Sequence, residues 1–238
     1  MAQSNSILNA QWAGIDGCRG GWIVAYTDQH SIAVQWIASL HELKELGIQT
    51  CLIDMPIGLS AERHIDQDLR QVLKPVRHHS VFSTPVRAAV YADEYALAKV
   101  INQEATGKSI SIQSWNICAK IKELDQFIQD ASDDFIAIES HPEYCFFRLN
   151  QNKHLQHKKS TPAGVEERIK LLHTYQAEYT KAFELALKNF PRKAVKADDI
   201  LDALCLHLTG QHELSYIKNS PLMDEKGISM QIAFPTLH

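Results

Sequence analysis

Short apolar runs separated by a glycine-rich turn and a polar turn open the chain, which predicts strands before any helix. From Ala13, AGIDGCRGGWIVAYTD places a short apolar strand ahead of a glycine-rich turn, then a second strand from Trp22 to Tyr26. Beyond the Asp28–His30 turn, SIAVQWIA is a third strand, rich in β-branched residues. Connections this short allow only an antiparallel meander, because a parallel crossover needs about a dozen residues or more. SLHELKELG reads as a capped helix: Ser39 accepts from early N–H groups, and Gly47 suits the left-handed C-terminal position. TCLIDMPIGL follows as an apolar strand whose pattern stops at Asp54-Met55-Pro56.

From about Ser60 to Asp130 the spacing is mainly helical, broken around Pro75, Pro85 and Thr106-Gly107. That is too long for a plain strand–helix–strand crossover and predicts a helical insertion, at about 60–130, over one edge of the sheet. FIAIESHPE resumes strand character and ends at Glu139-Ser140-His141-Pro142. KKSTPAGVEERIKLLHTYQAEYTKAFELALKNF has apolar residues at helical spacing and is closed by Pro191. ADDILDALCLHLTG is a further helix with Ile200, Leu201, Leu204 and Leu208 on its apolar side, and PLMDEKGISMQIAFP suggests a small hairpin around Glu225-Lys226-Gly227. The order of elements predicts one α/β domain over 1–238, a mixed sheet covered by helices on both faces.

Composition narrows the class. With 238 residues, 45% hydrophobic and 22% charged, the chain is an ordinary soluble globule of one elaborated domain, or one domain plus an insertion. A net charge of −4 argues against a protein that coats long nucleic acids, which needs many Lys and Arg on phosphates. Local basic patches are still present: Lys74, Arg77, His78 and His79; Lys153 through Lys159 with His154 and His157; and Lys188, Arg192, Lys193 and Lys196. Each reads first as a solvated face or loop. Cys18, Cys51, Cys118, Cys145 and Cys205 are odd in number and far apart, so no disulfide framework is expected and a reducing compartment fits. MAQSNSILNAQW lacks a basic start followed by an apolar run, and no stretch reaches the roughly 18 apolar residues of a membrane span, so a cytoplasmic protein is expected.

Candidate chemistry lies in acids at element ends. Asp16 follows the first strand, Asp54 the fourth and Glu139 the fifth, while Asp198, Asp199 and Asp202 open the last long helix. Asp199 and Asp202, three residues apart, share a helix face; Asp198 is rotated about 100° from Asp199 and is the better cap. Each acid also has a structural reading: Asp16 shaping the turn before Gly17, Asp54 capping the next segment, Glu139 as an ordinary strand end, Asp199 and Asp202 as solvent-facing helix acids. Gathered together, four carboxylates would repel and raise one another's pKa unless cations neutralise them. Mg²⁺ suits a shallow oxygen cluster, and two such ions about 3.5–4 Å apart can stabilise the attacking and leaving oxygens of a phosphodiester displacement.

Other motifs fail. Gly107-Lys108-Ser109 echoes the end of a nucleotide-binding loop, but Asn102 stands where that loop needs glycine. The glycines around Gly17 lead into a strand rather than a helix, His141-Pro142-Glu143 is followed by no cysteine pair, and there is no G-x-S-x-G elbow.

GIDGCRGGW, IDMPIGL, SVFSTPVRAAVY, GKSISIQSWNICAKIKELD, IESHPE and ADDILDAL resemble the signature segments of a domain-of-unknown-function family described as predicted RNase H-like nucleases, from about Ala13 to Thr209. DILDAL is also similar to the last catalytic helix of bacterial Holliday-junction resolvases. The resemblance implies an RNase H-like α/β fold: a mixed five-stranded sheet, three antiparallel strands then two parallel, flanked by helices. It maps Asp16, Asp54, Asp199 and Asp202 onto acids that bind Mg²⁺ or Mn²⁺. The resolvases have a Glu where Asp54 falls, and Glu139 is a further catalytic carboxylate that supplements or replaces it. Arg19 in the glycine-rich turn, Arg77 and Arg87 in the insertion, and Lys120 in the QSWNICAK helix are candidates for substrate phosphate, with pairing to nearby acids the competing reading. His141 is open between general acid and structural histidine, and Trp22 and Trp115 between base stacking and burial.

The expected activity is metal-dependent hydrolysis of phosphodiester bonds in structured or single-stranded nucleic acid, in a protein without a membrane anchor and compatible with a homodimer. One alternative is a phosphotransferase of the sugar-kinase and actin superfamily, against which the chain is short and lacks a glycine-rich adenosine segment. The other is a non-catalytic binding module on the same fold.

Overall fold

The computed structural model describes residues 12–132, 134–191, 193–218 and 221–237, and the meander read from the short connections is present there. Strand β1 (Trp12–Cys18) pairs antiparallel with β2 (Gly21–Asp28), and β2 with β3 (Ser31–Ile37). Asp16 is inside β1, opposite Ile23, rather than beyond it, because pairing continues to Cys18 against Gly21. The expected helix after β3 is a short 3-10 helix, Leu40–Lys44. Its cap is as read: Ser39 accepts from the His41 N–H, Glu42 closes a capping box, and Gly47 takes a φ of +68°. Strand β4 (Thr50–Ile53) stops just before Asp54.

The chain continues through α1 (Ile65–Val72), α2 (Arg87–Val90), α3 (Tyr95–Thr106) and α4 (Ile112–Asp130) to β5 (Ile136–Ser140). Then come α5 (Pro142–Leu149), α6 (Pro162–Tyr175), α7 (Glu178–Asn189) and α8 (Ala197–Gly210), followed by β6 (Leu214–Tyr216), β7 (Leu222–Met223), β8 (Ser229–Met230) and β9 (Ile232–Pro235). The N-terminal segment before Trp12, and Arg192 of the third basic patch, lie outside the described residues. Two compact units form: Met1–Asp54 with Ala131–Ser215 and Ala233–His238, and Met55–Asp130 with Tyr216–Ile232.

The first unit is built on a mixed seven-stranded sheet, in the order β3-β2-β1-β4-β5-β9-β6. β4 runs parallel to β1, and β5 parallel to β4. The expectation of five strands is therefore corrected to seven. The two extra strands have three and four residues, too short to show a period of their own.

Helix α8 packs on β1, β2 and β4. Every residue from Ile200 to Gly210 is buried, so α8 is central rather than amphipathic. Glycine makes this possible: a Cβ on Gly14 would stand 2.1 Å from the Ala203 carbonyl oxygen and 2.2 Å from the His207 nitrogen. The backbone of α8 thus rests directly on β1, two residues from Asp16. The long helical stretch before α8 is two helices, with Gln176 extended between them. This break lets α7 turn Tyr179, Ala182, Phe183 and Ala186 inward while packing against β3 and α8.

In the second unit, Val86, Ala89, Ala98 and Ile110 form a small core against which Tyr95 and Trp115 pack, so Trp115 is a packing residue. Trp22, in the first unit, is fully buried. Gly107, at a φ of +71°, ends α3, which accounts for the Gly107-Lys108-Ser109 echo as a helix terminus. The hairpin near the C-terminus is present as β7 and β8, antiparallel, with Gly227 at a φ of +75°. All five cysteines are buried, and none is in a disulfide. Among the described residues no helix is long and apolar enough to cross a membrane.

Candidate active site

Three of the predicted acids come together in the first unit. Asp16 is held by β1 and accepts from the Gly17 N–H at 2.7 Å. The Asp54 amide donates to the Ile15 carbonyl at 2.9 Å, extending the β1–β4 ladder one residue past the strand and setting Asp54 beside Asp16. Asp202, on α8, is wholly buried, and the close contact at Gly14 brings its helix down to these strands.

The mutual influence of these carboxylates shows in their proton affinities. Asp16 is raised well above the usual carboxylate range, by burial first and then by the charges of Asp54 and Asp202. Burial pushes Asp54 up to about 6 and Asp202 up to about 7. In both, the nearby Lys159 ammonium opposes the rise.

Lys159 is the member that sequence reasoning missed. Its Nζ donates to Asp202 Oδ2 at 2.5 Å, and Asp202 above all, then Asp16 and Asp54, hold its proton more tightly than usual. The turn that delivers it is pinned to the start of α6. There the Thr161 amide and hydroxyl both donate to the Lys158 carbonyl, and Thr161 Oγ1 accepts from the Gly164 N–H. The Thr161-Pro162 pair is a readable helix start, and it is the one signal that could have set Lys159 apart from the other basic residues of its loop.

The other predicted acids sit differently. Asp199 spends Oδ2 on the Lys196 N–H at 2.9 Å, so Asp199, rather than Asp198, closes the first turn of α8. It still faces Asp16 closely enough to raise its pKa. Glu139 pairs with Ile53, which pairs with Ile15. Residues in one such row point to one face of a sheet and their neighbours to the other, so Glu139 leaves the face opposite Asp16. The acid of that segment which acts on Asp54 and Asp202 is Glu143, four residues later in α5 and bridged to the fully buried Arg168.

Of the predicted phosphate-binding cations, Arg19 is exposed in the β1–β2 turn. Arg77, Arg87 and Lys120 belong to the second unit. Arg87 is committed to structure there: it pairs with Asp125 at 2.9 Å, Asp224 at 2.6 Å and Glu225, which corrects its reading as a substrate ligand.

The donor set can be weighed against a metal. Among the described residues, no three His, Cys, Asp or Glu side chains form a ready-made metal cage. The chemistry of the cluster nevertheless suits a hard cation. Three carboxylates face one ammonium, and Asp202 Oδ1 is buried with no hydrogen-bond partner. A thiol nucleophile does not compete, since burial lifts Cys145 to about 11 and Cys51 to about 12.

No curated protein and no solved structure matches the chain. A family model described as a protein of unknown function, DUF429, matches residues 14–215, a span that includes Asp16, Asp54, Lys159 and Asp202. By that match over most of its length, the chain belongs to DUF429, a family of proteins of unknown function.

Proposed function

We propose that this protein is a divalent-metal-dependent nuclease, hydrolysing phosphodiester bonds of nucleic acid on an RNase H-like sheet. The observation that carries the reading is the meeting of Asp16, Asp54 and Asp202, with Asp202 Oδ1 buried and unbonded. The strand order β3-β2-β1-β4-β5, antiparallel through β1 and parallel beyond it, supports the RNase H-like assignment.

Asp16, Asp54 and Asp202 would hold Mg²⁺ or Mn²⁺, whose preferred donors are oxygens. When bound, such an ion supplies charge neutralisation at the phosphate and activation of water. The chain's own residues set the frame for it. The strand backbone fixes Asp16 and Asp54, and the packed α8 fixes Asp202. Lys159 holds its proton too tightly to be a general acid, so its contribution is positive charge beside the carboxylates.

Purified protein with Mg²⁺ or Mn²⁺, assayed on RNA–DNA hybrids, junctions and single strands, tests the reading. Cleavage that disappears in Asp16→Asn is expected. Wild-type protein no more active than Asp16→Asn across the panel would overturn it. The Lys159–Asp202 ion pair favours one other reading: a nucleic-acid-binding module in which the lysine permanently replaces the metal. Binding of the same substrates without cleavage, unchanged by EDTA, would favour that module.

A further inference from the structure

The second unit contains a cavity that plays no part in the acid cluster. It measures about 250 Å³ and is walled by the start of α1, the Ser83-Thr84 segment, the end of α3 and the start of α4. Seven of the residues around it bear hydroxyls, and among the described residues His64 is the one aromatic ring in its wall.

Among the described residues Asp66 is the one acid in this wall, and it is already neutralised. Its Oδ1 accepts from Arg63 Nε at 3.0 Å and its Oδ2 from the Thr84 N–H at 2.8 Å. Arg63 is buried and also donates to the Ile57 and Gly58 carbonyls, so this pair is closed to a ligand.

Two other cations in the wall, Arg70 and Lys108, have no carboxylate partner among the described residues. Arg70 is oriented rather than neutralised: Nε donates to the Val81 carbonyl at 3.1 Å and Nη2 to Ser83 Oγ at 2.9 Å, leaving further guanidinium N–H groups. Thr84 Oγ1 is shielded from water and has no hydrogen-bond partner. The first turn of α4 borders the cavity through Ser111 and Ser114 and adds the positive end of a 19-residue helix.

We infer that this cavity binds a phosphate-type oxyanion. Such an anion has acceptor oxygens on all sides and so answers a wall of guanidinium, ammonium and hydroxyl donors. An apolar ligand would strand those donors unbonded, and a cation would meet two unneutralised positive side chains. One imidazole stands against seven hydroxyl side chains and two unneutralised cations, so what the wall chiefly recognises is the phosphate itself. The source is either free phosphate or a phosphate of a polynucleotide chain.

Calorimetric titration of the full chain in EDTA tests this, with inorganic phosphate as the first probe and 5′-phosphorylated and unphosphorylated tetrathymidylate as the second and third. Saturable phosphate binding is expected, weakened about tenfold or more in both Lys108→Glu and Arg70→Gln, as loss of a charge-assisted bond implies. Lys108 is exposed, so its variant should fold normally. Competition between either oligonucleotide and phosphate identifies a polynucleotide phosphate as the ligand, and the absence of competition identifies free phosphate. Asp16→Asn should bind phosphate as wild type does, so a failed nuclease assay leaves the inference standing. No saturable phosphate binding by wild type, or binding by Lys108→Glu and Arg70→Gln equal to wild type, would overturn it.

Discussion

Lys159 Nζ lies 2.5 Å from Asp202 Oδ2, so a half-exposed loop lysine neutralises a carboxylate that is wholly buried in α8. Removing the lysine takes away the charge that opposes the rise in the Asp202 pKa, so Asp202 must either stay charged and shielded from water beside Asp16 and Asp54 or take up a proton. Lys159→Met should destabilise the metal-free protein by about 1–3 kcal/mol. A fully buried pair would cost about 3–5 kcal/mol to break, and the exposure of Lys159 lets water share the loss. Denaturation in guanidinium with EDTA measures this, and saturating Mn²⁺ should restore most of the lost stability. Equal stability of variant and wild type in EDTA would show that Lys159 is not the counter-charge.

Asp54 should make the metal-free protein less stable as pH rises. Its folded pKa of about 6 lies above the unfolded value of 3.8, so between these the folded state binds more protons. Its stabilising contribution is full below about pH 4 and is lost as pH climbs through 6. In EDTA, Asp54→Asn should therefore be more stable than wild type at pH 7.5, on the order of 1–3 kcal/mol, with the gap closing near pH 4. A gap independent of pH would show that burial does not raise the Asp54 carboxyl in the folded protein.

His207 titrates in the opposite sense. Its ring bridges Thr27 Oγ1 at 3.1 Å and the Tyr179 hydroxyl at 2.9 Å, and burial lowers its pKa from 6.5 to about 4. The unfolded chain then binds the extra proton between pH 6.5 and 4, so stability is full above 6.5 and falls as pH drops through that window. The slope should approach about 1.4 kcal/mol per pH unit, and His207→Gln should lose that component. Urea titrations at half-unit intervals from pH 7.5 to 4 separate the two proteins.

Gly14 sets how closely α8 approaches Asp16. A Cβ there would meet the α8 backbone at 2.1 and 2.2 Å, and backbone cannot swing aside as a side chain can. Gly14→Ala should cost more than about 3 kcal/mol, at the top of the single-substitution range, and should weaken Mn²⁺ binding in whatever fraction still folds. Thermal unfolding by circular dichroism measures the first effect. A variant as stable as wild type would mean that α8 is not seated on β1 as described.

The parts of the site legible in the sequence are those set by strand ends and helix turns. Asp16 and Asp54 could be found because each interrupts an apolar strand pattern, and Asp202 because it shares a helix face with the opening acids of α8. Lys159 is harder to find, since the only mark on it in a basic loop is its place just before the Thr161-Pro162 helix start, and its partner Asp202 is distant in sequence. Glu139 misled for a related reason: a strand end shows that an acid is near an edge, but the face it leaves depends on the register with β4. Nothing in the sequence marks Gly14 out within its strand, because its role is tertiary, under α8. The break at Gln176 carries no Gly or Pro, and β6 and β9 are too short to reveal themselves.

The central claim is that Asp16, Asp54 and Asp202 form a working metal site, and anomalous diffraction from a crystal soaked in Mn²⁺ tests it most directly. The account predicts manganese bound by carboxylate oxygens of these three residues, with Lys159 displaced from Asp202. A saturated soak that leaves the Lys159–Asp202 pair closed, with no manganese among the three acids, would contradict it.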